Sequence, residues 1–275
     1  MTFQAIFHND LKQFIRNRWL VWFSVLFTLV ATSFLLFGGA NQETYDGFNT
    51  NIAVLLNVNL FLLPLVLFIM GSVSVAAEKE EGLLTLVLSY PISYFELVVA
   101  KILSLTTAMF LILCLSYGIA STGGFIFGTE LSLHTLLTFF FLSILLILLL
   151  APLSILMGVC SRTKFQSMAL ALGGWTFLVL LYEFIFMGLI TVVTPQLLKL
   201  FLTVAVAANP IELIRVAAII IIDEGVSLGP SLYEFTSFIT GGFGSLILIV
   251  FSVLWIVVPA LLSYWFIRGG KTHVE

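Results

Sequence analysis

The chain has 275 residues, of which 61% are hydrophobic and only 9% are charged, with a formal net charge of −3. This apolar fraction exceeds what a soluble core of such length could bury, so the composition excludes an ordinary soluble domain and predicts an integral membrane protein. The basic residues form no patch of the kind that a phosphate backbone requires, which argues against a nucleic-acid partner.

The first predicted element is an amphipathic helix from Phe3 to Arg18. Apolar residues recur there at helical spacing, whereas polar residues, Asp10 among them, take the other side. A helix with this pattern lies in the headgroup region of a bilayer. We therefore expect an N-terminal interfacial helix that leads into the first membrane span.

Six apolar runs follow, each long enough for the roughly 20 residues that a transmembrane helix needs. The predicted spans cover residues 19–37, 51–76, 97–119, 136–159, 168–193 and 238–267. The fold class is therefore an all-α membrane protein with six transmembrane helices. No internal repeat or linker divides the sequence, so residues 1–275 are expected to form a single six-span domain.

The link between the second and third spans, EKEEGLLTLVLSYP (78–91), concentrates charge in a chain that has little of it. It predicts a short helix with an apolar leucine face and with glutamates in its first turn, where acidic groups suit the positive end of the helix dipole. Pro91 ends this helix, and Ser93 is suited to cap the next one. The alternative is an ordinary loop with a solvated charge cluster.

Basic residues are distributed unevenly between the two predicted sides of the membrane. One side holds nine of the eleven Lys and Arg residues, and the other holds only Lys199 and Arg215. Because basic residues favour the cytoplasmic side, we expect both termini and the 78–91 link in the cytoplasm. The long connection 195–236 then faces outward from a multi-pass protein of the cell (inner) membrane.

Within that outer connection, the stretch NPIELIR (209–215) predicts a helix start. Asn209 suits the N-cap, Pro210 the first helical position, and Glu212 the third position of a capping box. The apolar body of about a dozen residues is too short to span a bilayer. We expect it to lie against the outer leaflet or to dip into it.

One ionisable residue, Glu183, lies inside the fifth predicted span and is a functional candidate as a gate or a proton-linked site. The alternative is a position near the outer end with a hydrogen bond to Tyr182 or to water. The methionines and the two cysteines, Cys114 and Cys160, show no repeated close spacing, so we interpret them as packing residues and predict no metal site.

Together, RNRW (16–19) after the amphipathic start, the 78–91 link and the 209–215 element resemble the six-span permeases of type-2 ABC transporters. Among these, they are most similar to the branch that serves maturation of the copper centres of nitrous oxide reductase. The resemblance covers essentially the whole chain and implies a permease subunit with no catalytic residues and no cofactor of its own. The sequence contains no G-x-x-x-x-G-K-[ST] loop, so ATP is expected on a separate cytosolic ATPase subunit.

The resemblance also implies partners and contact residues. Two permease copies would form a homodimer in the lipid membrane, and a NosD-like copper-handling protein would dock from the periplasm. The implied ATPase-coupling residues are Glu78, Glu80, Glu81, Gly82, Tyr90 and Pro91. The implied outer dock consists of Asn209, Pro210, Glu212 and Arg215.

Two other functions remain open at this point. An exporter for a lipid, peptide or drug would share the same fold and every motif above. An intramembrane enzyme is the weakest alternative, because the sequence has no H-E-x-x-H motif, no nucleophile elbow with a partner His and no pair of intramembrane aspartates.

Overall fold

The computed structural model describes residues 3–37, 50–126, 133–223, 237–239 and 241–269. Its helices are α1 (Phe3–Ile15), α2 (Arg18–Phe37), α3 (Thr50–Glu80), α4 (Leu83–Leu88), α5 (Tyr94–Ile126), α6 (Leu133–Cys160), α7 (Lys164–Trp175), α8 (Tyr182–Ile190), α9 (Pro195–Ala208), α10 (Pro210–Asp223) and α11 (Gly242–Gly269). A π-helical stretch, Thr176–Leu181, joins α7 to α8. Within these ranges there is no strand, and the predicted all-α class is confirmed.

Five helical segments are long and apolar enough to cross a membrane: α3, α5, α6, α7 with α8, and α11. Two bent pairs also pass this test, α1 with α2 at 60° and α9 with α10 at 116°. The six predicted spans correspond to the five segments together with α2. The part of the outer connection at 224–236 lies outside the described residues.

The centre of the bundle is the contact between α3 and α6, which α5, α7 and α11 surround. Small residues let these two helices approach closely. A Cβ atom added at Gly71 would lie 1.9 Å from Ser154 Oγ, and one at Gly158 would lie 2.5 Å from the carbonyl oxygen of Ser72. Ser154 Oγ also donates to the carbonyl of Leu67 at 2.8 Å, which ties the two helices together by a polar contact.

Helix ends that are far apart in sequence meet at one end of the bundle, which we call the α4 end. Contacts there join α1, the end of α3, the start of α5, the end of α6 and the start of α7. Eight of the nine basic residues predicted for one side lie in these segments, within three residues of one of them, or at the end of α11: Lys12, Arg16, Arg18, Lys79, Lys101, Arg162, Lys164 and Arg268. The ninth, Lys271, lies outside the described residues.

At the opposite end, α9 and α10 form a V-shaped hairpin whose tip, Ala208–Asn209, points into the bundle. Asn209 Nδ2 donates to the carbonyl of Leu178 at 2.8 Å, and Trp255 Nε1 donates to that of Ala207 at 3.0 Å. Both partners lie near the middle of long helices, so the hairpin is re-entrant. These donors satisfy backbone groups that would otherwise be unpaired in an apolar environment.

The predicted N-cap at Asn209 is confirmed, because the amide of Ile211 donates to Asn209 Oδ1 at 2.9 Å. The predicted capping box with Glu212 is wrong. The amide of Asn209 donates to the carbonyl of Val206 at 3.4 Å, and the Glu212 carboxylate lies beside Arg215 instead. The preceding helix α9 occupies the amide of Asn209, which leaves Glu212 free to turn toward a positive charge.

Candidate functional site

The most polar site at the α4 end is the junction of α3 and α4, which we define as residues 78–82. Helix α3 continues through Glu80, and the amide of Gly82 donates to the carbonyl of Lys79 at 3.2 Å. Gly82 has φ 76, the left-handed conformation that ends many helices and that glycine adopts most readily. Helix α4 begins only at Leu83.

The prediction that the short helix starts at Glu78 and carries glutamates in its first turn is therefore wrong. Glu78 and Glu80 belong to the last turn of α3, where the helix dipole disfavours negative charge. Each has a partner that offsets this effect. Glu78 Oε2 lies 2.6 Å from Lys101 Nζ, and Glu80 Oε2 accepts from the amide of Lys164 at 2.7 Å.

Consecutive residues at the end of α3 point to different neighbouring helices, because successive side chains of an α-helix are about 100° apart. Glu78 contacts α5, and Glu80 contacts the start of α7. Between them, Lys79 Nζ donates to the carbonyl of Val159 near the end of α6 at 2.9 Å. The junction is thus bonded to three other helices.

A buried ion cluster extends the junction to α1. Lys101 Nζ lies 3.2 Å from Asp10 Oδ2 as well as 2.6 Å from Glu78 Oε2, and Asp10 and Lys101 are only 5% and 3% exposed. The expectation that Asp10 lies on the polar face of α1 is wrong, because this carboxylate pairs with Lys101 inside the protein. The sequence signal that could have predicted this pair is Lys101, a single lysine in the apolar helix α5, because a buried charge requires a partner.

Helix α4 packs through one face only. Leu84 is buried against Ile6 and Leu97, whereas Leu86 on the opposite face is 62% exposed. Beyond the helix, Tyr90 is 49% exposed and Pro91 is also exposed. The predicted leucine face is therefore divided between packing on the protein and an uncovered apolar surface.

The next helix begins as predicted. The Ser93 hydroxyl accepts from the amide of Glu96 at 3.2 Å, and the Glu96 carboxylate accepts from the amide of Ser93 at 3.1 Å. This reciprocal capping box fixes the start of α5 directly after Pro91. It holds the exposed turn at Tyr90 between two defined helices.

The structure places the predicted coupling residues in different environments. Glu78 is bonded inside the protein, whereas Glu80 and Glu81 lie at the surface and contact Lys164, with a distance of 2.6 Å between Glu81 Oε1 and Lys164 Nζ. Gly82 forms the turn, and Tyr90 and Pro91 are exposed. Their role in coupling stays a prediction, and the sequence did not show that the link 161–164 contacts this group through Lys164.

At the hairpin end, Glu183 and Arg215 form an ion pair between α8 and α10. Glu212 lies on the other side of the guanidinium, with its Oε1 3.7 Å from Arg215 Nε. The alternative to a functional role gave Glu183 a hydrogen bond to Tyr182 or to water, but the Tyr182 hydroxyl donates to the carbonyl of Ala205 at 2.5 Å. Pairing of this kind is the usual way to keep ionisable groups within apolar helices.

The other members of the predicted outer dock, Asn209 and Pro210, are buried. Asn209 bonds the hairpin to the carbonyl of Leu178, and Arg215 bonds it to Glu183 of α8. The buried side chains of Asn209 and Pro210 offer little surface. A docking role for this element stays a prediction. Across the described ranges, no three His, Cys, Asp or Glu side chains are grouped closely enough to hold a metal ion.

An all-helical bundle of apolar spans, with a short amphipathic helix at one end and a re-entrant hairpin at the other, defines a multi-pass membrane protein. The sequence model for ABC-2 family transporter proteins matches residues 4–268, so the chain belongs to that family. It is a permease of the inner membrane, as the resemblance predicted.

Two relatives carry the name "Probable ABC transporter permease protein NosY". The chain is 28% identical over 217 residues to the protein from Pseudomonas aeruginosa, with 77% of this chain and 79% of the relative covered. It is 26% identical over 229 residues to the protein from Stutzerimonas stutzeri, with 76% and 78% covered. The similarity to NosY that the motifs indicated is thus confirmed.

Proposed function

We propose that this permease couples ATP hydrolysis on a separate cytosolic subunit to substrate movement through the membrane, with α4 as the coupling helix. ATP would bind the partner subunit only. A second copy of the chain would complete the membrane core, and the α4 end would face the cytoplasm, in agreement with the excess of basic residues at this end.

The observation that supports this proposal is the construction of the junction. Helix α4 has an uncovered apolar face at Leu86, and the turn at Gly82 connects it to the last turn of α3. That turn is bonded to α5, α6 and α7, and through Lys101 to α1. A displacement of α4 by a docked partner would therefore act on five helices.

Within this class, similarity to NosY favours copper-centre maturation of nitrous oxide reductase over export of a lipid, peptide or drug. In this proposal a NosD-like periplasmic protein docks at the hairpin end. Deletion of the gene should yield nitrous oxide reductase that lacks its full copper content, measured on the purified enzyme. Fully loaded enzyme in the deletion strain would favour the exporter.

Leu86→Asp tests the coupling helix. The substitution places a charge on the exposed face of α4, where Leu86 is 62% exposed and belongs to neither of the neighbouring buried clusters. We expect the tagged permease to lose most of the ATPase subunit that co-purifies with it. Charge reversal at Glu80 or Glu81 is a less specific test, because both residues also contact Lys164 within the chain.

Phe125→Asp is the matched control, because Phe125 is 87% exposed near the opposite end of α5. This variant should retain the ATPase as the wild type does. Equal retention by Leu86→Asp and the wild type would refute the assignment of α4. Equal loss from both variants would mean that an added charge disturbs the whole permease, and the assignment would then lose its support.

A further inference from the structure

A second feature of the α4 end is a cavity of about 540 Å³ between the ends of α3, α6 and α11. Its wall is partly basic and partly apolar. The residues used below are Lys79, Val159, Arg162, Leu262, Trp265 and Phe266. The proposed coupling function uses none of these side chains to contact the ATPase.

The basic part of the cavity carries uncompensated charge. Lys79 directs its ammonium group to the carbonyl of Val159 at 2.9 Å, which uses one of its three donors. Arg162 is exposed. Among the described residues, neither cation forms an ion pair, because the nearby carboxylates of Glu78 and Glu81 pair with Lys101 and Lys164 instead. Two positive groups therefore face one cavity.

The apolar part belongs to α11 and is open to the bilayer. Trp265 is 74% exposed, Phe266 56% and Leu262 43%. Tryptophan near the end of an apolar helix is typical of the interface between headgroups and acyl chains. The cations thus lie at headgroup depth, with an apolar surface leading from them into the membrane.

We propose that this cavity binds an anionic phospholipid from the leaflet on the α4 side. The headgroup phosphate would bind Lys79 and Arg162, and an acyl chain would lie along Leu262 and Phe266. Basic pockets between helices on the cytoplasmic side are suited to such lipids. A free phosphate would leave the apolar wall unused, and a zwitterionic lipid would leave the positive charge uncompensated.

The position of Lys79 would also bring a bound lipid into contact with the junction of α3 and α4. Lys79 lies in the last turn of α3 between Glu78 and Glu80, so a headgroup bound to it contacts the junction directly. The lipid would join the end of α11 to the end of α3. Lipid binding can be measured on the purified permease in the absence of substrate and ATPase.

Native mass spectrometry of the purified permease, titrated with phosphatidylglycerol or phosphatidylcholine, tests the proposal. Arg162→Gln should raise the apparent Kd for phosphatidylglycerol about fivefold, and Lys79→Gln with Arg162→Gln should raise it further, since each basic residue near a membrane surface contributes about 1 kcal/mol. Binding of phosphatidylcholine should not change. Because Arg162 is exposed, its substitution should leave the fold intact.

Arg16→Gln is the matched control, because Arg16 is an exposed cation at the same end that does not line the cavity. It should leave the phosphatidylglycerol affinity unchanged, and an equal loss would show general surface attraction and refute the site. Unchanged affinity in the double variant would also refute it. Displacement of the lipid by millimolar inorganic phosphate alone would assign the cavity to a free anion and overturn the proposal.

A second permease copy is the competing occupant of the α11 face. In a background without Cys114 and Cys160, Trp265→Cys would form a disulfide between two copies in native membranes treated with an added thiol oxidant if they met there. Complete cross-linking would overturn the lipid proposal. Monomeric Trp265→Cys together with the expected loss of affinity in Arg162→Gln would support it.

Discussion

Lys101 shows how strongly a single residue can determine the local structure of a membrane protein. Lys101 is only 3% exposed, and its ammonium group lies between the carboxylates of Asp10 and Glu78. Removing one member of a buried ion cluster leaves uncompensated charge, whereas removing all of the charges leaves none. The complete cluster therefore stabilises the packing of α1, α3 and α5, and the loss of a single member destabilises it.

We predict that Lys101→Met destabilises the permease by about 3–5 kcal/mol, because two neighbouring carboxylates remain buried without a cation. The measurement is the midpoint of thermal unfolding in detergent. A triple variant that adds Asp10→Asn and Glu78→Gln should recover most of the loss, because it removes the stranded charges.

Lys164→Ala is the comparison for a surface pair, since Lys164 and Glu81 have side chains that are 46% and 51% exposed. Its midpoint should remain close to that of the wild type, because exposed ion pairs contribute little to stability. A midpoint for Lys101→Met as high as that of Lys164→Ala would contradict the structural role of the buried cluster.

At the scale of elements, Gly82 separates a long apolar helix from a short amphipathic one. A Cβ atom at this position would meet nothing within 4 Å, so only the backbone requires glycine. The left-handed conformation costs a residue with a side chain about 1–2 kcal/mol. The direction of α4 relative to α3 thus depends on one residue.

We predict that Gly82→Ala lowers the free energy of unfolding by about 1–2 kcal/mol and reduces ATPase retention in co-purification. Gly82→Asn should have a smaller effect, because asparagine adopts this conformation more readily. Gly118→Ala, in the open interior of α5, is the control and should stabilise the helix by about 0.5–1 kcal/mol. Similar losses from both alanine variants would argue against a backbone requirement at Gly82.

The re-entrant hairpin is the second element whose role depends on neighbours. Helices α9 and α10 are each too short to span, and both expose backbone groups at the tip. Tyr182 of α8 and Trp255 of α11 donate to the carbonyls of Ala205 and Ala207 near this tip, while the Asn209 side chain at the tip donates to the carbonyl of Leu178. Its cap at Asn209 was predictable because capping is local, but its insertion into the bundle was not, because Trp255 and Leu178 are distant in sequence.

At the scale of the whole molecule, the distribution of basic residues predicts the orientation in the membrane. We predict that, in a background without Cys114 and Cys160, a membrane-impermeant maleimide labels Lys199→Cys in intact spheroplasts. It should label Arg16→Cys only after lysis. Both residues are exposed, so reactivity reports their side of the membrane. The opposite pattern would reverse the orientation and place α4 outside the cytoplasm.

The sequence by itself determined the class of the protein, the approximate positions of its spans, the caps at Ser93 and Asn209, and the family. These features depend on composition, on the helical period and on contacts within a few residues, all of which a linear sequence contains. Only the tertiary structure decided where α4 begins, that Asp10 pairs with Lys101, and that Glu183 pairs with Arg215. A charged residue in an apolar helix indicates that an oppositely charged partner is needed. Which distant residue comes close enough to be that partner depends on the tertiary fold.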